Sequence, residues 1–264
     1  MSLVTRRQTL FGLAVGVAMG AGVCLSAPFA SAANDDAGQI LKAMSDYLAA
    51  QQTISASYDS DVEVITPDLQ KIQFASSGTF LLNRPDQLHA TRTGGYMDAE
   101  LIFDGKTLTV FGKSANSYAQ LDAPGSIQQL IETLRSHGAA IPGADLLVAD
   151  VYGAMNARII DAKHVGLGVV GGVECNHLAF RGQEVDWQLW VEAGANPIPR
   201  KLVITSKTVG AAPQYTLVIN DWKTGVPADA AMFQFTPPAG AKKLGVEGLA
   251  TLDEIPPGIP AKGQ

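Results

Sequence analysis

Gly78-Thr79-Phe80-Leu81-Leu82-Asn83-Arg84-Pro85 reads as the end of a β-strand followed by its stop signal. Phe80 and Leu82 lie two residues apart, on one face of an extended chain. Pro85 has no amide hydrogen for a ladder and pushes Arg84 into an extended conformation, so the strand ends there. Two later runs carry the same kind of punctuation. In Phe103-Asp104-Gly105-Lys106-Thr107-Leu108, the Asp104-Gly105 pair separates two β-rich runs as a hairpin turn in which glycine takes positive φ. In Phe233-Gln234-Phe235-Thr236-Pro237-Pro238-Ala239-Gly240, Phe233 and Phe235 are expected on one face of a last strand, Met232–Thr236, which the two prolines stop.

Outward from these runs the hydrophobic period changes three times. Asp35 and Asp36 open a helix, since acidic residues favour the positive end of its dipole, and Ile40, Met44, Tyr47 and Leu48 recur on one face of it. From Thr53 to Thr66 the period is two: Ile54, Ala56, Tyr58, Val62 and Val64 share one face. Ser55, Ser57, Asp59, Asp61 and Glu63 share the other. A hairpin through Pro67-Asp68 leads back along Lys71–Leu82, and strands follow at His89–Thr93, Glu100–Phe103, Lys106–Phe111 and Ser117–Leu121. Ile127, Leu130, Ile131 and Leu134 then predict a helix over Ser126–His137, with Ser126 as N-cap. A second helix is predicted over Ala144–Ala154. Strands resume at Ile159–Ala162, His164–Val170, Gly172–Arg181, Val185–Val191, Leu202–Thr208 and Gln214–Trp222. Helix, meander, two helices, meander is an α+β order dominated by antiparallel β. It predicts a curved sheet or half-barrel with the helices laid over one side.

The ends differ from the middle. Arg6-Arg7 precedes an acid-free apolar stretch from Leu10 to about Leu25 and then Ala30-Ser31-Ala32, the pattern of a cleaved signal peptide over residues 1–32. Thr5-Arg6-Arg7-Gln8-Thr9-Leu10 is similar to a twin-arginine signal, with Thr9 where phenylalanine is usual. An ordinary secretory signal also begins with basic residues, so both export routes stay open. Cys24 lacks the preceding leucine of a lipoprotein signal. Residues 33–243 form the expected domain, and residues 244–264, with Pro256-Pro257 and Pro260, an extended Pro/Gly-rich tail. The expected mature chain keeps Cys175 alone, so no internal disulfide holds it. Losing Arg6 and Arg7 lowers the 19 basic residues to 17 against 25 acidic, taking the net charge from −6 to −8. That balance argues against nucleic acid as a partner, because phosphate binding needs clustered Lys and Arg. No apolar run after Leu25 is long enough to span a bilayer.

The order and spacing of the three opening runs resemble LolA and its relatives, the periplasmic lipoprotein carriers. The later half is similar to a narrower, uncharacterised family of predicted periplasmic proteins with the same fold. That likeness rests on Gly172-Val173-Glu174-Cys175-Asn176-His177-Leu178-Ala179-Phe180, Val185-Asp186-Trp187-Gln188-Leu189-Trp190-Val191-Glu192 and Pro197-Ile198-Pro199-Arg200-Lys201-Leu202. The resemblance implies a periplasmic location, a LolA-like sheet with lid helices, and a hydrophobic or lipid-like ligand between them. It also implies a role for Arg84: in the carriers the arginine of the matching Arg-Pro holds lid-helix carbonyls and keeps the cavity closed. Here Arg84 would latch the Ser126–His137 or the Ala144–Ala154 helix, a task that suits a five-donor fork. Leu88-His89-Ala90 replaces the aromatics usual after Arg-Pro, and Gly166–Gly172 is foreign to the carriers.

Catalytic and metal signatures are weak. Cys175 and His177 share a strand face, yet further ligands at metal spacing are missing, and a packed role is expected. Gly166-Leu167-Gly168-Val169-Val170-Gly171 spells G-x-G-x-x-G but precedes a strand, not the helix that would hold a pyrophosphate. Asp59, Asp61 and Glu63 read as a solvated strand face rather than a calcium site. Neither H-E-x-x-H nor G-x-S-x-G occurs. No metal or cofactor is expected. Residues proposed to face an apolar cavity are Phe80, Leu82, Phe103, Leu108, Val110, Leu130, Leu134, Leu147, Trp187, Leu189, Ile204 and Leu217, with a dry core as the competing reading. The expected protein is a periplasmic, monomeric, non-catalytic binder of a hydrophobic or lipid-like ligand. Two alternatives stay open: an envelope adaptor with a dry core, and a hydrolase around His177, Asp186 and Gln188.

Overall fold

The computed structural model describes residues 29–245, apart from 96, 137, 138 and 140. Of the expected signal peptide 1–32, residues 1–28 lie outside the described residues, as do residues 246–264 of the expected tail 244–264. Helix α1 (Phe29–Ala49) opens the chain, earlier than the expected start at Asp35, and Ala30, Ala32 and Ala33 are strong helix formers there. The first meander comprises β1 (Thr53–Ile65), β2 (Lys71–Asn83), β3 (Gln87–Gly94), β4 (Asp98–Phe103), β5 (Thr107–Gly112) and β6 (Ser117–Asp122). After α2 (Ile127–Ser136), a 3-10 turn (Ala144–Leu146) and α3 (Val151–Asn156) comes the second meander. It consists of β7 (Asp161–Val170), β8 (Val173–Arg181), β9 (Val185–Glu192), β10 (Pro199–Ser206) and β11 (Gln214–Thr224). A two-residue β12 (Lys242–Lys243) follows. These strands form one sheet in the order β12-β6-β5-β4-β3-β2-β1-β11-β10-β9-β8-β7. Every pair is antiparallel except β12 with β6. The two meanders meet where β1 pairs with β11, the step that folds the chain into a single layer.

The turn chemistry follows the residues. Gly105 has φ +88°, and the Asp104 carboxylate accepts the amides of Lys106 and Thr107 at 2.9 and 2.7 Å. Gly171 and Gly172, both at positive φ, make the two-residue hairpin between β7 and β8, so the G-x-G-x-x-G run is edge strand and turn. Ser126 caps α2: its hydroxyl accepts the Gln129 amide at 3.3 Å, while the Gln129 side chain accepts the Ser126 amide at 2.8 Å. That reciprocal pair is a capping box.

Three expectations change. The Ala144–Ala154 helix is broken into the 3-10 turn and α3, because Asp150 caps a new start by accepting the Gly153 amide at 2.8 Å. The two strands expected at Ile159–Ala162 and His164–Val170 are one strand, β7, whose register shifts between His164 and Gly166 around an exposed Val165. The Met232–Thr236 strand is absent. Ala230–Phe233 is a 3-10 turn closed by local bonds from Met232 to Asp229 and from Gln234 to Ala231. Phe233 is buried and Phe235 lies 5.6 Å from Phe111 and 5.0 Å from Tyr118 between ring centroids. The segment thus covers the convex face by side-chain packing rather than by ladder bonds.

The main core lies on the concave side. Over one half, α1 lays the fully buried Ala37, Leu41, Met44 and Leu48 against β7, β8 and β9. Over the other half, α2 is tied down where Pro85 and Gly105 carbonyls accept the Ile127 and Gly125 amides at 3.0 Å each. It buries Ile127, Leu130, Ile131 and Leu134.

Candidate ligand cavity between the sheet and its lid

Antiparallel register sets the concave side-chain rows of the first meander. Ile54, Leu82, Leu88, Phe103 and Leu108 stand side by side. One step along come Ala56, Phe80, Ala90, Leu101 and Val110, and one step further Tyr58, Gly78, Arg92 and Ala99. The rows run from fully buried apolar to partly buried polar over about 14 Å of strand. Between them and the segment Ile141–Leu147 lies a cavity of about 360 Å³, extended on its other side by Leu217, Ile219 and Trp222. Its size is that of a small-molecule site.

Gly78 is what lets Tyr58 form part of the floor. A Cβ there would lie 2.0 Å from the Thr91 carbonyl and 2.6 Å from the Tyr58 ring, which crosses the glycine to donate its hydroxyl to Thr91 at 2.9 Å. On the lid side, Gly143 (φ +79°) brings the backbone so close that a Cβ would lie 3.2 Å from Leu217. Side chains of Arg84 and Arg135 hold the lid segment, and Ser45 holds α3 just after it. Arg84 Nη1 donates to the Leu147 carbonyl at 3.0 Å, Arg135 on α2 bonds Asp145 at 2.7 Å, and Ser45 on α1 accepts the Tyr152 amide at 2.9 Å. Arg84 Nε and Nη2 are buried without a hydrogen-bond partner, and burial lowers the guanidinium pKa. Its own backbone is fixed to Gln52: the Arg84 amide donates to the Gln52 carbonyl at 2.9 Å, and the Gln52 side chain donates to the Arg84 carbonyl.

Of the residues proposed from sequence, Phe80, Leu82, Val110, Leu147 and Leu217 line this cavity. Phe103, Leu108, Leu130, Leu134, Trp187 and Leu189 do not; they are buried in the packed core, and Ile204 packs partly buried against it. Trp187 stacks on Phe180 at 3.8 Å between centroids, under the half of the sheet that α1 covers. Tyr58, Arg92, Ile141, Tyr215 and Trp222 line the cavity and were outside that set. The signal for Tyr58 and Arg92 was strand parity, two residues beyond Ala56 and Ala90. Ile141 sits between α2 and the 3-10 turn, outside both predicted helices.

The polar candidates elsewhere are engaged. Cys175 is buried, and its thiol pKa is raised first by burial and then by Glu192. His177 pairs with Gln188 at 2.9 Å and stacks on Trp190 at 4.1 Å, with Lys201 Nζ 5.1 Å from that ring. Asp186 lies 3.3 Å from Lys207 and 3.9 Å from Arg181. Asp59 accepts from Ser77 and Asn220, and Glu63 pairs with Lys71 at 2.9 Å. Among the described residues no three His, Cys, Asp or Glu side chains are grouped to hold a metal. No described helix is long and apolar enough to cross a membrane.

A family model described as "Predicted periplasmic protein (DUF2092)" matches residues 37–247. No curated protein matches the chain. Solved structures similar to it include an uncharacterised conserved protein from Thermus thermophilus at 11% identity and TM-score 0.48, covering 80% of this chain and 99% of that one. LprF from Mycobacterium bovis has 12% identity and TM-score 0.45, over 79% and 99% of the two chains. A LolA superfamily protein from Nitrosomonas europaea has 13% identity and TM-score 0.33, over 75% and 97%.

Proposed function

The chain belongs to the DUF2092 family of predicted periplasmic proteins, and from that premise we propose that it binds a hydrophobic or lipid-like ligand, without catalysis, between sheet and lid. The carrying observation is the 360 Å³ apolar cavity beneath a lid held by Arg84. Each methylene moved there from water contributes about 0.8 kcal/mol, so shape and apolar area suffice to hold a chain. The arginine bond ends on a residue that itself lines the cavity, Leu147. Native mass spectrometry of protein purified from the periplasm tests this: retained acyl-chain mass is expected. Protein that carries none, and that fails to bind an added fatty-acyl probe, has a dry core and sinks the reading.

The adaptor reading has one observation in its favour. β7 ends the sheet, and Val165, Leu167 and Val169 on it are exposed. An apolar edge strand offers unpaired backbone groups to a partner chain. Lysine at Leu167 is then expected to abolish cross-linking to an envelope protein while leaving probe binding intact.

A further inference from the structure

The convex face of the sheet carries a second depression, a trough of about 480 Å³ floored by β11, β1, β2 and β3. Lys223, Ser55 and Leu81 stand side by side in one row of its floor, and Ser57 and Thr79 in the next. Val226, Pro227 and Met232, from the chain after β11, give it an apolar rim. A bulge in β11 brings two charges into this trough. Asp221 and Trp222 together oppose Ala56 of β1, and Asp221 takes φ +48°. Trp222 thereby lines the ligand cavity on the concave face, while Asp221 lines the trough.

Ser57 donates to Asp221 Oδ2 at 2.7 Å, which orients the carboxylate and leaves Oδ1 for a ligand. Among the described residues, the Lys223 ammonium and the Ser55 hydroxyl have no partner. His89, across the trough, is engaged by Glu100 at 2.6 Å. We propose that the trough binds a short zwitterion, its ammonium at Asp221 and its oxyanion at Lys223. Two positions apart on a strand, these residues stand about 7 Å from each other, within one Debye length of about 8–10 Å. A simple anion at Lys223 therefore feels the Asp221 carboxylate, and a simple cation at Asp221 feels the ammonium. A molecule whose own charges lie a few Å apart meets both with charge-assisted contacts. An apolar α-amino acid and the ethanolamine-phosphate head of a lipid share this chemistry, and the apolar rim favours the first. The trough lies on the opposite face of the sheet from the ligand cavity and stands whether or not that cavity is filled.

Protein purified from the periplasm is titrated calorimetrically at low salt with leucine, and with N-acetylleucine and leucinamide, which each lack one charge. Glycerophosphoethanolamine is compared in the same way with ethanolamine and glycerophosphate. A zwitterion is expected to bind about five- to tenfold tighter than either one-charge counterpart, the range of a charge-assisted bond at a partly exposed site. Leucine as the tighter zwitterion assigns an amino acid, and glycerophosphoethanolamine a lipid head. Asp221→Asn keeps the bulge, since asparagine tolerates positive φ, and is expected to bring leucine down to N-acetylleucine. Lys223→Gln is expected to bring leucine down to leucinamide, and Lys223→Arg to keep the natural preference. One-charge analogues that bind as tightly as the zwitterions overturn the assignment. So does a preference that survives both Asp221→Asn and Lys223→Gln, or an absence of binding by either zwitterion.

Discussion

Arg84 and Gly78 show how much a single position decides in this protein. Arg84 donates one bond to the lid and leaves two nitrogens, Nε and Nη2, buried without hydrogen-bond partners. Arg84→Leu removes that bond, and the expected outcome is a several-fold faster release of a fatty-acyl probe in stopped-flow measurement. An unchanged release rate contradicts the latch. Gly78→Ala forces a methyl against the Thr91 carbonyl and the Tyr58 ring. A loss of about 1–3 kcal/mol in urea unfolding is expected, the usual cost of overpacking. A variant as stable as the natural protein contradicts the close approach. Gly78 was legible in the sequence only as part of a strand. Its necessity is a cross-strand fact, since the atoms it would strike belong to residues 13 and 20 positions away.

At the scale of elements, the helices divide the concave face into two halves with different duties. α1 seals the β7–β9 half with fully buried side chains, whereas the lid leaves room above β1–β5. Leu41→Ala is therefore expected to cost about 2–5 kcal/mol by denaturant unfolding, with probe affinity unchanged in the folded protein. A marked loss of affinity with little loss of stability contradicts the division. Ser126→Ala removes a capping box and is expected to cost about 1 kcal/mol. The strands and α2 were readable because a period of two or 3.6 needs nothing beyond the neighbouring residues. The break in the Ala144–Ala154 helix was hidden because the apolar positions continue through it. An aspartate side chain at residue 150, competing for backbone amides, decides the point.

At the scale of the whole molecule, one sheet holds both meanders and buries the single thiol of the expected mature chain. Cys175 is buried and its pKa is raised, so its thiolate is scarce at neutral pH. In protein lacking residues 1–32, reaction with a thiol reagent at pH 8 is expected to be slow until denaturant is added. Rapid labelling of native protein contradicts the packing around β8. The sequence by itself determined the class of fold, most strand positions, the turns at Asp104-Gly105 and Pro67-Asp68, and the cap at Ser126. All of these are set by local backbone chemistry and by periodicity. Only the tertiary structure decided that Phe80, Leu82, Val110, Leu147 and Leu217 surround a space while Phe103, Leu108, Leu130, Leu134, Trp187 and Leu189 fill one. Whether an apolar strand face meets a side chain or a void depends on what lies across from it. That is fixed by the register of distant strands and by the path of a Pro-Gly connection, not by the period of the strand itself.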